Sequence, residues 1–315
     1  MRDRETIILG TRGSDLARAQ TRMVEEAIRA AWPDIRVKVE IITTRGDETA
    51  GAQPEAIDRK AGRKGLFTNE LERALLEKMI DVAVHSAKDL PSAQAAGLEI
   101  GATLPRGPVE DVVVSKTGGA IESLASGGTV ATGSIRRSCQ LRAVRPDLQV
   151  VDLRGNVPTR LRKLAASNWD GIILARAGLE RLGFDLSRGA FSFEDRSYRC
   201  ELLPRHDFVT AGGQGVIAMQ VRSDDQATQQ CVGAMGDAET LLCLRAEREF
   251  LRLLDGDCDS PVGVLATISD GSMTMRAQLF KPPAVAPVSG VVDGPAARSN
   301  IEVLAAKLME QIDGR

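Results

Sequence analysis

The side chains best suited to chemistry lie at residues 84–91, where Lys88 and Asp89 place a cation next to a carboxylate. The apolar residues 82–84 before them predict a short buried strand. Polar residues after such a strand lie at its carboxyl end, where open α/β sheets bind their ligands. On these residues alone, a surface loop with an incidental ion pair is the alternative interpretation.

A larger set of basic, acidic and hydroxyl residues occupies predicted strand ends and helix starts in the same way. These are Arg12, Ser14, Arg45, Asp47, Lys88, Asp89, Ser134, Arg136, Arg137, Arg154 and Arg160. Helix N-termini attract anions, and arginine binds carboxylates in a bidentate geometry. Any one arginine can simply be a surface residue, but their equivalent positions in two parts of the chain favour a shared ligand. We expect a compact polyanion with several carboxylates, because the chain has no glycine-rich nucleotide loop at its first strand–helix turn.

Two carboxylates and one thiol are further candidates for chemistry. Asp47 and Asp89 are surrounded by cations, which keep a carboxylate ionised and able to stabilise a positive intermediate or relay a proton. Neutralising the adjacent Lys or Arg is the alternative role for each. Cys258 lies in a predicted tight loop closed by Pro261, where a thiol could be a nucleophile or an attachment point. The acidic neighbours of Cys258 argue against a highly reactive thiolate.

The elements that position these residues occur twice in the chain. A strand at 6–9, a turn, a helix and a strand at 37–42 are followed about 120 residues later by the same order, with strands at 129–131 and 149–153. Each copy continues with a helix, at about 69–78 and 158–166, and then a buried strand. Two tandem β-α-β-α-β units predict two α/β domains with parallel sheets and a cleft between them.

Four other segments have less regular patterns. Residues 104–108 predict a hinge, 49–65 a mobile lid, and the glycine-rich 209–215 a turn through which backbone could approach a ligand. From about residue 227 the pattern changes to a long amphipathic helix, a hairpin with strands at 262–268 and 273–279, and a final helix. This last segment predicts a small α+β domain.

Composition excludes several classes of protein. The chain has 315 residues with 41 basic and 43 acidic side chains and 3% aromatics, which argues against a nucleic-acid partner. It has no apolar run long enough for a membrane span and no export signal at its N-terminus. Its five cysteines never occur as C-x-x-C and it has two histidines, so we expect no metal site and a reducing, cytoplasmic location.

Ten motifs together resemble the porphobilinogen deaminase (hydroxymethylbilane synthase) family over nearly the whole chain. They are Thr11-Arg12-x-Ser14, Thr44-Arg45-Gly46-Asp47, Lys64-Gly65-Leu66-Phe67, Val84-His85-Ser86-x-Lys88-Asp89-x-Pro91, Ser134-x-Arg136-Arg137, Leu153-Arg154-Gly155-Asn156, Thr159-Arg160-Leu161, Ala177-Gly178-Leu179-x-Arg181-Leu182, Gly213-Gln214-Gly215 and Gly256-x-Cys258-x-x-Pro261.

The resemblance implies a specific architecture. It comprises two tandem α/β lobes like those of type II periplasmic binding proteins, with a third, small α+β domain. The first domain would be residues 1–104 plus about 205–222, the second 109–200 and the third 227–315.

The resemblance also implies an activity. Four porphobilinogen units would be deaminated and joined head to tail on a dipyrromethane cofactor, which is held through a thioether to Cys258, and hydroxymethylbilane would be released by hydrolysis. Asp89 would be the catalytic carboxylate, and Asp47 is a second candidate acid. The residues implied in binding cofactor and substrate are Arg12, Ser14, Gln20, Lys60, Lys64, Lys88, Thr132, Ser134, Arg136, Arg137, Arg154, Gly155, Asn156, Arg160, Arg181 and Gln214.

The alternative is a two-lobed anion-binding module without catalysis, such as a solute receptor or ligand-sensing domain. The absence of an export signal, the third domain and Cys258 favour the enzyme. We expect a monomer with a small-molecule substrate and no nucleic-acid, membrane or metal partner.

Overall fold

The computed structural model describes residues 5–43, 68–118, 120–254, 261–281 and 286–314. Its strands form three sheets, of five, six and three strands. Each sheet has its own buried apolar core, so the chain has three packed units, as expected for its length.

The first sheet has the strand order β2-β1-β3-β11-β4. Its elements are β1 (Thr6–Thr11), α1 (Asp15–Ala31), β2 (Arg36–Ile41), α2 (Asn69–Leu76), β3 (Val82–Ser86), β4 (Leu98–Thr103) and β11 (Ile217–Arg222). Strands β2, β1 and β3 are parallel, as predicted. Strand β11 is antiparallel to both of its neighbours, so the prediction of an all-parallel sheet is wrong. The chain enters β11 only after completing the second sheet, and it returns in the opposite direction.

The second sheet has the order β7-β6-β8-β5-β10-β9. Its elements are β5 (Asp111–Ser115), β6 (Thr129–Ala131), α3 (Ile135–Val144), β7 (Gln149–Val151), α4 (Val157–Ala166), β8 (Gly171–Ala175), α5 (Arg176–Arg181), β9 (Ala190–Phe193) and β10 (Arg196–Leu202). Strands β7, β6 and β8 are parallel, whereas β5 runs antiparallel to β8 and to β10. The prediction of a parallel sheet is therefore wrong for this part of the sheet too. Strand β5 enters from the other lobe, and β10 forms a hairpin with β9.

The third sheet confirms the predicted hairpin and adds a strand. Strands β12 (Val262–Ser269) and β13 (Ser272–Leu279) are antiparallel neighbours, and β14 (Val288–Pro295) completes the sheet. Helices α7 (Ala238–Leu254) and α8 (Ile301–Asp313) supply the rest of this core. Strand β14 was not predicted, because its valines are interrupted by glycine, serine and aspartate.

Helix α6 (Gln226–Gly233) packs against the first sheet. Its residues Cys231 and Val232 are buried with Val24 and Ile28 of α1, and the Trp32 indole N–H donates to the Cys231 carbonyl over 3.1 Å. The division of the chain into three domains stays a prediction. The position of α6 favours a third domain that begins with α7.

Two antiparallel connections join the lobes. Gly107 N–H donates to the Gly215 carbonyl over 3.0 Å, and Leu104 N–H donates to the Ile217 carbonyl over 3.2 Å. The predicted hinge at 104–108 therefore lies beside the segment that returns to the first sheet. Among the helices of the described residues, none is long and apolar enough to cross a membrane.

Candidate active site between the two sheets

Lys88 and Asp89 lie on a 3-10 helix, Ala87–Asp89, at the carboxyl end of β3. The glycine-rich turn before β11 packs directly on their backbone. Gly213 has a φ of 75°, and a Cβ at this position would lie 2.9 Å from the Ala87 carbonyl carbon and 3.0 Å from the Lys88 nitrogen. At Gly213 the close approach of this turn is to the backbone that carries Lys88 and Asp89, and the approach of the turn to a ligand stays a prediction.

Gln20 fixes the residue before that 3-10 helix. Its side chain is buried, and its Nε2 and Oε1 lie 2.8 Å and 3.0 Å from the Ser86 hydroxyl. Both polar atoms of Gln20 therefore contact a protein group, and the structure gives Gln20 a role in positioning β3.

Three predicted binding residues begin helices. Ser14 Oγ accepts from Ala17 N–H at the start of α1, Ser134 Oγ from Arg137 N–H at the start of α3, and Asn156 Oδ1 from Thr159 N–H at the start of α4. These N-caps satisfy one amide each and fix the entry of each helix. The other amides of the first turns favour negative charge nearby.

Arg136 and Arg137 are buried and share one carboxylate, that of Asp111 at the start of β5. Arg136 Nη1 lies 2.8 Å from Asp111 Oδ2, and Arg137 Nη2 lies 2.6 Å from Asp111 Oδ1. Gln214 Nε2 also donates to Oδ1, over 2.8 Å. Burial works to raise the pKa of the Asp111 carboxyl, but the two guanidinium groups outweigh it and hold that pKa far below its usual range.

The two arginines differ in what they leave for a ligand. Arg136 Nη1 also contacts the Gln140 side chain and the Val209 carbonyl, so Arg136 serves an internal network. Arg137 Nε is buried with no hydrogen-bond partner in the part of the chain that the structure describes. An unpartnered buried donor is costly, which makes Arg137 the better candidate for ligand binding.

Charges from both lobes act on one another around Arg137. Burial, and then the positive charge of Arg137, lowers the pKa of Lys88 to about 8, while Asp89 and Asp111 oppose the shift. Burial, and again Arg137, lowers the pKa of Arg160 to about 10, against the opposing charge of Asp89. Lys88, Asp89, Arg137 and Arg160 therefore form one electrostatic cluster, which we call the cleft cluster.

The turn after β7 borders this cluster. Arg160 Nε donates to the Gly155 carbonyl over 2.7 Å, and Gly155 has a φ of 116°. Arg154 is exposed and pairs with Asp152 over 2.8 Å, and its charge lowers the pKa of Arg160 further. Arg154 of this turn and Arg160 of α4 therefore add positive charge at the edge of the cleft cluster.

Three other predicted binding residues have contacts with residues outside the cleft cluster. Thr132 is buried at the carboxyl end of β6, where its Oγ1 accepts from Ser134 N–H over 3.3 Å. Arg181 Nη2 donates over 2.6 Å to the Gly215 carbonyl, which also accepts from Gly107 of the predicted hinge. Arg12 follows β1, and its charge adds to the burial that lowers the pKa of His85 to about 4.

Several predicted residues lie outside the described residues. They are Arg45, Asp47, Lys60, Lys64, Cys258 and the lid at 49–65. Their assignments stay predictions.

Three structural residues at the site were missed by the sequence analysis. Asp111 holds the two arginines, and Glu247 of α7 is fully buried against Arg106 at 2.6 Å. Glu247 also accepts from Gly213 N–H over 2.6 Å, which links the third domain to the turn beneath Lys88. Arg106 and Asp111 could have been noticed in the sequence as charged residues in or next to the predicted hinge. Their ion-pair partners are distant in sequence, and no spacing identifies them.

The described cysteines and acidic side chains offer no competing centre. Burial raises the pKa of Cys139, Cys200 and Cys243, the last to about 12, so these thiols are poor nucleophiles. No cluster of three potential metal ligands occurs among the described residues.

Comparison with known proteins assigns the family. The sequence model described as "Porphobilinogen deaminase, dipyromethane cofactor binding domain" matches residues 7–230, and that of the "Porphobilinogen deaminase, C-terminal domain" matches residues 241–291. The chain belongs to the porphobilinogen deaminase family. The predicted enzyme of tetrapyrrole biosynthesis with a dipyrromethane cofactor is thereby confirmed.

Individual relatives agree over most of their length. Porphobilinogen deaminase of Roseiflexus sp. (strain RS-1) is 44% identical over 276 residues, covering 88% of this chain and 86% of its own. That of Syntrophobacter fumaroxidans is 42% identical over 275 residues, covering 87% and 84%. Among solved structures, the methionine-binding protein MetQ aligns with 75% of this chain and 92% of its own, at 11% identity and a TM-score of 0.46.

Proposed function

We propose that the cleft cluster is where this member of the porphobilinogen deaminase family joins its substrate units. The observation that carries the proposal is the position of Arg137, whose charge acts both on Lys88 of the first lobe and on Arg160 of the second. A cleft that combines cations from two lobes with one ionisable acid suits a substrate that bears carboxylates and develops positive charge as it reacts.

The cations bind the acetate and propionate side chains of the substrate. Lys88, Arg137 and Arg160 are the central contacts, with Arg12 and Arg154 at the edges. The capped N-termini of α1, α3 and α4 add amide donors and the positive ends of their helix dipoles. The remaining predicted contacts, Thr132, Gly155, Arg181 and Gln214, shape the walls of the cleft.

Asp89 is the catalytic carboxylate in this proposal. Deamination breaks the bond between the aminomethyl carbon and its nitrogen, and ammonia leaves with the bonding electrons. Positive charge then develops on the pyrrole, and a fixed carboxylate stabilises it. The unsubstituted α-carbon of the preceding pyrrole then attacks the methylene carbon, which forms the carbon–carbon bond. That α-carbon loses its proton, and the released ammonia can accept it to become ammonium. Asp89 is half-buried after the end of β3, and its charge acts on Arg160, one of the cations proposed to bind the substrate carboxylates.

The described residues fit the dipyrromethane cofactor. Arg137 Nε and Thr210 Oγ1 are buried polar atoms without partners in the described chain, and both can donate to carboxylates. When bound, dipyrromethane supplies the primer that the first substrate unit extends. We propose that Cys258 holds it through a thioether, as the family resemblance implies, and the raised pKa values of Cys139, Cys200 and Cys243 favour this choice.

We further propose that the protein acts as a cytoplasmic monomer without a nucleic-acid partner. Its four described cysteines are free thiols, which is the usual state in a reducing compartment. The net charge of −2 gives no basic surface excess for nucleic acid.

Intact mass tests cofactor attachment and separates an enzyme from an anion-binding module. The wild-type protein is expected to exceed its sequence mass by one dipyrromethane, and Cys258→Ser is expected to match its sequence mass. A wild-type protein that stays unmodified and inactive after incubation with porphobilinogen would overturn the proposal.

A further inference from the structure

A basic cavity is lined in part by the segment that follows Asp89. Its volume is about 400 Å³, within the range of small-molecule sites. It lies between the first lobe and the third domain and is lined by Ser92, Gln94, Glu99, Arg245, Arg248 and Arg298, among others. None of these residues belongs to the cleft cluster.

The arginines of this cavity are only partly neutralised. Arg252, at its edge, pairs with Glu249 over 2.7 Å, and Arg248 Nη2 donates to the Ser92 carbonyl over 3.0 Å. Arg245 and Arg298 have neither an ion pair nor a hydrogen bond with any residue that the structure describes.

Arg245 and Arg298 repel each other across the cavity. Burial, and then the charge of Arg298, lowers the pKa of Arg245, and Glu99 offsets this only in part. An anion between the two guanidinium groups would remove the repulsion. The planar donor fork of arginine suits the paired oxygens of carboxylate and phosphate groups.

We propose that this cavity binds a compact polyanion, with Arg245 and Arg298 as its principal ligands and Arg248 as a third. The chemistry required is two or more anionic oxygens in a molecule small enough for about 400 Å³. Inorganic phosphate and a small polycarboxylate both meet this requirement. The proposal does not depend on the reaction in the cleft.

The cavity is close in sequence to the proposed catalytic residue. Ser92 follows Asp89 by three residues, and its carbonyl accepts from Arg248. Arg248 also acts electrostatically on Glu72 and on His85 of β3. An anion that binds Arg248 in this cavity would therefore lie beside Ser92, in the segment that follows Asp89.

Isothermal titration of the cofactor-loaded protein tests the proposal. Phosphate and citrate are titrated separately at constant ionic strength into the wild type and into the double variant Arg245→Gln/Arg298→Gln. The double variant is expected to lose one binding event, or to bind the preferred anion at least about tenfold more weakly. Which of the two anions shows this loss identifies the oxygen chemistry that the cavity prefers.

The matched control is Arg188→Gln/Arg199→Gln, which removes two exposed arginines elsewhere and changes the net charge equally. It is expected to bind as the wild type does. If the double variant does not fold, the single variant Arg298→Gln replaces it in the titration, because Arg298 is an exposed side chain. Unchanged binding in the cavity variants, or an equal loss in the control, would overturn the proposal.

Discussion

Arg137 Nη2 lies 2.6 Å from Asp111 Oδ1 in a fully buried pair, and Arg137 is also the cation that shifts the pKa of Lys88 and of Arg160. A structural carboxylate at the start of β5 therefore holds the arginine around which the proposed site is organised. Asp111 also accepts from Arg136 and Gln214, so its position is determined from several directions.

Removing the charge of Asp111 is expected to destabilise the protein strongly. In Asp111→Asn, two buried guanidinium groups lose their shared counter-ion, and breaking such a pair costs about 3–5 kcal/mol. Urea unfolding at neutral pH measures the change in the free energy of unfolding. Asp152→Asn removes a carboxylate from an exposed pair with Arg154 and is expected to change stability by less than about 1 kcal/mol. Equal effects of the two substitutions would contradict the account of Asp111.

Carboxylate binding at Lys88 is expected to take up a proton in alkaline solution. The pKa of Lys88 is lowered to about 8, so free Lys88 is largely neutral at pH 9. A bound carboxylate favours the charged amine and raises its pKa, so binding at pH 9 takes up close to one proton, whereas at pH 7 Lys88 contributes none. Titration of succinate by calorimetry, in two buffers of different ionisation enthalpy, measures the uptake. Lys88→Met removes it, and equal uptake in this variant would show that another group is responsible.

His85 is expected to weaken the fold in acid. Burial, aided by the charges of Arg12 and Arg248, lowers its pKa from 6.5 to about 4. The unfolded chain therefore binds more protons between these values, and stability falls as the pH is lowered through this range. Between pH 7.5 and pH 5, His85 is expected to lower the free energy of unfolding by about 2 kcal/mol.

The variant His85→Gln measures that contribution. Its longer amide can place an N–H donor near the position of His85 Nε2, which lies 3.1 Å from Gln220 Oε1, but it has no proton to gain. Urea unfolding at pH 7.5 and 5 is expected to show a smaller acid loss in the variant by about 2 kcal/mol. The same acid loss in both proteins would show that His85 is not the group concerned.

A methyl group at Gly213 is expected to disturb the active site. In Gly213→Ala the new Cβ would meet the Ala87 and Lys88 backbone at about 3 Å, in addition to the strain of a φ of 75°. Turnover is expected to fall at least about tenfold, since small misplacements of reacting groups are costly. Gly127 has the same φ but open space around it, so Gly127→Ala measures the backbone strain alone. Steady-state kinetics of both variants, with unfolding as a second readout, separate the two effects. Equal turnover in both would contradict the positioning role of Gly213.

The repeat made much of the two lobes predictable from the sequence. The parallel strands β1, β2 and β3, their counterparts β6, β7 and β8, and the turns with cationic residues all follow from local patterns. The antiparallel direction of strands β5 and β11 could not be predicted in this way. Their direction depends on how the chain crosses between lobes, which is a long-range property.

The site was predictable by residue type and less so by role. Arg136 and Arg137 are adjacent and chemically alike, yet their roles differ. Arg136 completes an internal network with Asp111 and the Val209 carbonyl, whereas Arg137 keeps an Nε donor without a partner in the described chain. Ser14, Ser134 and Asn156 were predicted as ligand contacts, and each is also a helix cap. A spacing in sequence identifies neither a distant ion-pair partner nor how many donors remain for a ligand.

Single-turnover release of ammonia from porphobilinogen tests the central claim most directly. Wild type and Asp89→Asn are compared, with cofactor content verified by intact mass and substrate binding measured separately. Because the variant keeps its shape and its cations but loses the carboxylate, we predict unchanged folding, retained substrate binding and release at least about a hundredfold slower. Release within about threefold of the wild-type rate, from an equally loaded variant, would contradict the assignment of Asp89 as the catalytic residue.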